Sequence, residues 1–196
     1  GRNAVKKIYD KSEVKSVLDN SRLNVGQRGA VELIVTTNNR FVAIQGAAGT
    51  GKTTMLRDAQ SLAESQGYKF VGVAPSAAAA KELSKAGIKS QTLASLETQG
   101  FKSLNEKSIL IVDESSMISA KDMHTLMSAV EEKGARGILV GDTQQLQAVQ
   151  AGKPFAQLQG QGIERAEIGE IIRQNNKTLK QSVELAAEGQ ISKSME

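Results

Sequence analysis

A three-layer α/β fold with a mainly parallel central sheet is the architecture this sequence predicts. Apolar strand-like runs alternate with segments of helical periodicity, the signature of βα units joined by crossovers. Residues 108–113 (Ser-Ile-Leu-Ile-Val-Asp) form a continuous apolar run, which suits a central parallel strand covered on both faces. A glycine-rich stretch stands between a strand and a helix, where ligands of parallel sheets bind.

Val14, Val17 and Leu18 recur at helical spacing over 12–20. Val25, Ala30, Val31, Ile34 and Val35 do the same over 24–37. Residues 41–45 are a short apolar strand that runs into the glycine-rich loop, and 53–65 continue as a helix. A second strand covers 69–74. Pro75 stops it, and Ser76 caps a helix that ends near Gly87. A helix over 119–133 follows strand 108–113. Residues 136–141 predict another central strand, 164–168 a weaker one, and 176–188 a last helix. The Gln-rich stretch 144–161 reads as polar loop and helix surface. The single histidine, His124, falls in the helix without a partner at ligand spacing and reads as a surface residue. Met117, Met123 and Met127 read as core filling.

The chain has 196 residues, 39% of them hydrophobic, and a formal net charge of +4. That supports about one to one and a half domains and a single core. Cysteine is absent, which excludes disulfides and thiolate metal sites and fits a reducing, cytoplasmic setting. No apolar run approaches the roughly 20 residues of a membrane span. The N-terminus has no apolar core of a signal peptide. The basic balance is compatible with a polyanionic partner but does not specify one. Aromatic residues make up only 3%, few for a protein that holds single strands mainly by stacking. Arg2, Lys6, Lys7, Lys11 and Lys15 near the N-terminus read as a solvated lead-in.

The string Gly46-Ala47-Ala48-Gly49-Thr50-Gly51-Lys52-Thr53 is a P-loop. Its glycines let successive backbone N–H groups turn inward toward phosphate oxygens. The helix that follows adds the positive end of its dipole. Lys52 supplies a point charge for the β- and γ-phosphates. The Thr53 hydroxyl is a candidate magnesium ligand. Asp113-Glu114 ends the apolar strand 108–113. Asp113 offers magnesium a hard oxygen, and Glu114 can orient or deprotonate an attacking water. The bland alternative is an acidic pair capping the next helix. Gly141-Asp142-Thr143-Gln144-Gln145-Leu146 ends the next strand. Two readings stand there: a polar turn, or an amide that touches the γ-phosphate or the water.

Together these residues resemble the first RecA-like core domain of a superfamily 1 helicase of the RecD-like branch. Within it, the wording is most similar to conjugative relaxase-helicases of the TraI/TrwC type. Leu23-Asn24-Val25-Gly26-Gln27 resembles the motif upstream of the P-loop, which implies that Gln27 contacts adenine. The P-loop with Thr54 resembles motif I. Val73-Ala74-Pro75-Ser76 resembles motif Ia, and Gln91-Thr92-Leu93-Ala94-Ser95-Leu96 resembles motif Ib. They imply contacts of Pro75, Ser76 and Thr92 with single-stranded DNA. Asp113-Glu114-Ser115-Ser116-Met117 resembles motif II. The run from Gly141 to Leu146, with Val149 and Gly152-Lys153-Pro154-Phe155, resembles motif III, which implies that Gln145 senses the γ-phosphate. Glu170-Ile171-Ile172-Arg173-Gln174 resembles motif IV, whose arginine, Arg173 here, is implied as an arginine finger.

The resemblance runs from about residue 23 to 188. It implies the ATP- and magnesium-dependent motor of a 5′-to-3′ DNA helicase that unwinds plasmid DNA for transfer. Its implied partners are single-stranded DNA and a second RecA-like domain. Residues 1–22 read as a lead-in, 23–190 as core domain 1A, and 191–196 as a tail ending before that second domain. Motifs V and VI are missing, and only a short loop separates Leu96 from Ser108. The chain alone is therefore expected not to unwind DNA. Two rivals from other classes are a vestigial, non-catalytic module that binds single strands and a P-loop ATPase that remodels proteins.

Overall fold

The computed structural model describes residues 4–47, 51–143 and 153–168. The elements are α1 (Lys11–Asp19), α2 (Val25–Thr36), β1 (Phe41–Gln45), α3 (Lys52–Glu64), β2 (Lys69–Ala74), α4 (Ala77–Ser84), β3 (Ser90–Thr92), α5 (Leu93–Thr98), β4 (Ser108–Val112), α6 (Ala120–Glu132), β5 (Arg136–Gly141), α7 (Lys153–Gly160) and β6 (Glu164–Glu167). A 3₁₀ turn, Ser115–Met117, follows β4. The helix read over 176–188 lies outside the described residues.

The six strands form one sheet in the order β3-β2-β4-β5-β1-β6, and every pairing is parallel. Alternation along each strand assigns side chains to two faces. Val42, Ile44, Ile109, Ile111, Ile138 and Val140 pack with Val14, Leu18, Ile34, Met55 and Leu83, from α1 to α4. Phe41, Ala43, Leu110, Val112 and Leu139 pack on the other face with Leu96, Met123, Leu126 and Phe155, from α5, α6 and α7. Three layers result, as the apolar run of β4 required; all five of its residues are buried. The strand order sets β5 between β1, which feeds the P-loop, and β4, which leads into Asp113.

Several elements differ from the sequence reading. Val17 and Val25 are exposed, at 53% and 61%. In the nine-residue α1 only Val14 and Leu18, four apart, face the core. Val25 is the first residue of α2, before the helix meets the sheet. Of the three methionines, Met123 is buried and Met127 packs against the core, whereas Met117 is half-buried beside a surface hollow. His124 is exposed, as expected.

The N-terminal segment is strapped to the edge of the fold opposite the P-loop. Val5 N–H donates to Asn38 O at 2.7 Å and Tyr9 N–H to Val35 O at 2.8 Å. The Tyr9 hydroxyl donates to Leu62 O at 2.8 Å. Arg136, 5% exposed, donates to Lys6 O at 2.5 Å and to the Tyr68 hydroxyl at 2.9 Å. Its guanidinium lies 4.7 Å from the Tyr68 ring centroid. Burial pushes Arg136 below its ordinary pKa, with Tyr68 opposing the shift.

Candidate nucleotide site

The carboxyl ends of β1, β5 and β4 converge. Gly46 N–H, the first of the P-loop, donates to Gly141 O at the end of β5 at 2.9 Å. Gly51 holds φ 82° as the residue before α3, a left-handed conformation that glycine adopts without steric cost. Lys52, Thr53 and Thr54 then form the first turn of α3, whose leading N–H groups have no partner within the helix. Lys52 is half-buried, whereas Thr53 and Thr54 are exposed. Ala48, Gly49 and Thr50 lie outside the described residues, as do Gln145 and Arg173.

Asp113 continues the β4 ladder through its N–H to Val73 O at 2.9 Å. Its Oδ1 accepts from Glu114 N–H at 2.8 Å and lies 4.0 Å from Lys52 Nζ. The lysine of the P-loop and the first carboxylate of the acidic pair thus face each other across β5. Both side chains are largely withdrawn from water, at 25% and 16% exposure, so each tempers the cost of the other's buried charge.

Glu114 has φ 49° and ψ 42°. A non-glycine residue in that region carries strain, and such residues concentrate at functional sites. The turn is held by Met117 N–H to Glu114 O at 2.8 Å and by the Ser115 hydroxyl to Val112 O at 2.7 Å. Ser119 caps α6 through Asp122 N–H at 3.2 Å, while Glu114 stands at the N-cap position of the 3₁₀ turn without a side-chain capping bond. Among the described residues, the Glu114 carboxylate accepts no hydrogen bond.

Gly141 explains its own identity. A Cβ there would lie 3.0 Å from Ser116 N, 3.2 Å from Ser115 N and 3.1 Å from a Phe155 ring carbon. Two of those neighbours are backbone and cannot swing away. Gly141→Ala is expected to cost about 1–3 kcal/mol, the usual penalty of overpacking. A urea melt at constant slope would measure it; an unchanged midpoint would refute the tight approach of β5 to the acidic turn.

Gln27 is 7% exposed and close to the P-loop. Its Oε1 accepts from Asn24 N–H at 2.9 Å, closing a capping box with the Asn24 side chain. Its Nε2 donates to Gly51 O at 3.0 Å. The residue that the resemblance assigns to adenine therefore also ties α2 to the P-loop backbone.

The DNA-side candidates sit at the ends of β2 and β3, beyond β4 from the P-loop. Register places Ala74 beside Thr92, so the ends of β2 and β3 are neighbours. Ser76 Oγ accepts from Ala79 N–H at 3.1 Å and caps α4. Thr92 Oγ1 accepts from Ser95 N–H at 3.2 Å and caps α5. Each hydroxyl proton stays available to a phosphate oxygen. Pro75, Leu93, Ala94 and Met117 line a hollow of about 170 Å³ between these ends and the acidic turn.

Sequence reasoning passed over Gln45. This last residue of β1 donates from Nε2 to Asp142 Oδ1 at 2.8 Å. Its Oε1 accepts from Thr143 N–H at 3.3 Å and Gln159 Nε2 at 3.0 Å. A polar amide ending an apolar strand was the available signal. A hollow of about 780 Å³ lies between α2 and β6 and is lined by Lys11, Glu32, Glu164 and Glu167, away from Lys52 and Asp113.

A P-loop on an all-parallel sheet, with an acidic strand end opposite its lysine, defines a nucleotide-binding α/β domain. The chain belongs to the AAA domain family, whose model matches residues 22–196. It is similar to a probable conjugal transfer protein TraA of Sinorhizobium fredii, at 40% identity over 79% of this chain and 14% of that protein. It is also similar to the multifunctional conjugation protein TraI of Escherichia coli, at 38% over 78% of this chain and 9% of that protein. The ATP-dependent RecD2 DNA helicase of Deinococcus radiodurans is 36% identical over 70% of this chain and 20% of that protein. This is a helicase-like domain of the RecD-like kind, and it spans a fifth or less of each of these relatives. A replication initiator DnaA bound to AMPPCP and single-stranded DNA shares the fold, with TM-score 0.50 and 19% identity, over 87% of this chain and 54% of that one. Among the described residues, no helix is long and apolar enough to cross a membrane.

Proposed function

We propose that this chain is the ATP-binding motor domain of a longer DNA helicase that unwinds DNA for conjugative transfer, moving 5′ to 3′. The observation that carries the reading is the convergence of Lys52, Asp113 and Glu114 at one end of the sheet, with Lys52 Nζ 4.0 Å from Asp113 Oδ1. Lys52 and the N–H groups opening α3 hold the β- and γ-phosphates. Thr53 and Asp113 supply the hard oxygens that suit magnesium, which takes few protein ligands beside substrate phosphates. When bound, magnesium neutralises charge building on the phosphate oxygens. Glu114 accepts the proton of the attacking water as the water oxygen bonds to the γ-phosphorus and the bond to the bridging oxygen breaks. ADP and phosphate are the products. Gln145 and Arg173 sense and stabilise the γ-phosphate, and Gln27 reads adenine beside its structural tie.

Pro75, Ser76 and Thr92 contact the backbone of a single strand. Support comes from the parallel sheet, in which the ends of β2 and β3 lie on the same side as Lys52 and Asp113, and from Met117, which follows the acidic pair and lines a hollow with Pro75. A second RecA-like domain closes over the nucleotide in the longer protein.

The test is ATP turnover by the longer protein, with and without single-stranded DNA. Strong stimulation by DNA is expected. Absence of stimulation would favour the protein-remodelling ATPase. DNA binding indifferent to Lys52→Ala, together with no turnover, would favour the vestigial module. The 196-residue chain by itself is expected to open no duplex in a fluorescence unwinding assay; clear opening would overturn the need for a second domain.

A further inference from the structure

Gln45 occupies an unusual junction. It precedes the first P-loop glycine directly, and its backbone lies in register with Gly141 of β5 on one side and Glu167 of β6 on the other. Both ends of its side-chain amide are used. Nε2 donates to Asp142, which is only 8% exposed, and Oε1 accepts from the backbone of Thr143 and from Gln159 of α7. The relay continues outward. Gln159 Oε1 accepts from Arg165 Nη1 at 3.1 Å, and Arg165 lies 3.6 Å from Glu167. One amide therefore fixes the start of the P-loop against the first two residues beyond β5. It also links that junction to α7 and to the edge strand β6.

We propose that Gln45 is a positioning residue for ATP hydrolysis: it sets the loop that leaves β5 at Asp142 and Thr143 relative to the phosphates held by the P-loop. The inference rests on the ATPase reading above. Gln45 touches no reacting atom. It acts through Asp142 and Thr143, and its removal leaves a buried carboxylate short of a hydrogen bond. Nucleotide binding depends on Lys52 and the α3 turn and should survive. Turnover depends on where Asp142 and Thr143 stand relative to the phosphates, and misplacement there is costly.

The experiment measures kcat and KM for ATP in the longer protein carrying Gln45→Leu, Gln45→Glu, Asp142→Asn, or the double change Gln45→Glu/Asp142→Asn. The double change exchanges amide and carboxylate, so one donor again faces one acceptor. Gln45→Leu and Gln45→Glu are expected to lower kcat roughly 10- to 100-fold, with KM within about threefold of wild type. The double variant is expected to recover most of the lost kcat. Wild-type kcat in both single Gln45 variants, a change confined to KM, or a double variant no better than Gln45→Glu would each overturn the proposal. Should Gln45→Leu fail to fold, the comparison of Gln45→Glu with the double variant decides. Lys52→Ala runs alongside. Full turnover in that control would overturn the ATPase reading itself, whereas a dead control with unaffected Gln45 variants would overturn only this inference.

Discussion

Lys52→Ala is expected to lower ATP turnover by about 10²- to 10³-fold, the scale for removing one preorganised charge-stabilising group. The argument begins with the fold. β1 delivers the P-loop to the carboxyl end of the sheet, Gly51 turns it at φ 82°, and Lys52 opens α3. The lysine is 25% exposed and faces Asp113 rather than solvent. A half-desolvated ammonium interacts with phosphate more strongly than one in water. Its removal also leaves Asp113 without its nearest cation and facing the incoming phosphates alone. Binding and turnover should therefore both fall, with α3 intact because alanine is a better helix former than lysine. Nucleotide titration followed by amide resonances of residues 46–54 and Asp113 would check the binding half. Undiminished shifts in the variant would mean that the phosphates lie elsewhere.

Much of this architecture was legible because it rests on local chemistry. β4 and β5 announce themselves by continuous apolar runs, and β2 ends where Pro75 must end it. The misses share a physical cause. β3 is Ser90-Gln91-Thr92, with no apolar residue; it is a strand only because β2 offers it an edge. α5 has six residues and depends on the Thr92 cap. α7 lies in the Gln-rich stretch, and its anchor is a single buried aromatic, Phe155. Elements held by tertiary partners leave little trace in periodicity. The N-terminal basic segment illustrates the same limit. Lys6, Lys7, Lys11 and Lys15 are exposed, as a solvated lead-in requires, but the charges gave no sign that its backbone is strapped down by Arg136, Tyr9 and residues 35 and 38.

The site was legible in its parts but not in its assembly. Motif wording gave Lys52, Asp113 and Glu114 separately. Their meeting follows from strand order, because β5 alone separates β1 from β4. Gln27 could be flagged from its motif, but its bond to Gly51 could not. Gln45 carried no wording at all. The proposal for it rests on three partners, Asp142 and Thr143 just beyond β5 and Gln159 of α7.

Glu114→Gln is expected to separate binding from chemistry. The substitution keeps shape and removes the carboxylate's capacity to take a proton. General-base contributions are typically 10²- to 10⁴-fold, so kcat in the longer protein should fall by about that factor. KM for ATP should stay near wild type, since Lys52 and the α3 turn do the holding. The backbone supports the assignment. Glu114 sits at φ 49°, ψ 42°, a conformation held by Ser115 to Val112 and Met117 to Glu114. That strain costs stability, and such residues cluster where a turn aims a functional group. A companion change, Glu114→Gly, removes the strain along with the carboxylate. It should raise the thermal midpoint of the chain while hydrolysis is lost, because glycine accepts φ > 0 freely. Retained turnover in Glu114→Gln would transfer the base role to another group. A lowered midpoint in Glu114→Gly would show that the relief of strain is smaller than the chain entropy glycine adds to the unfolded state.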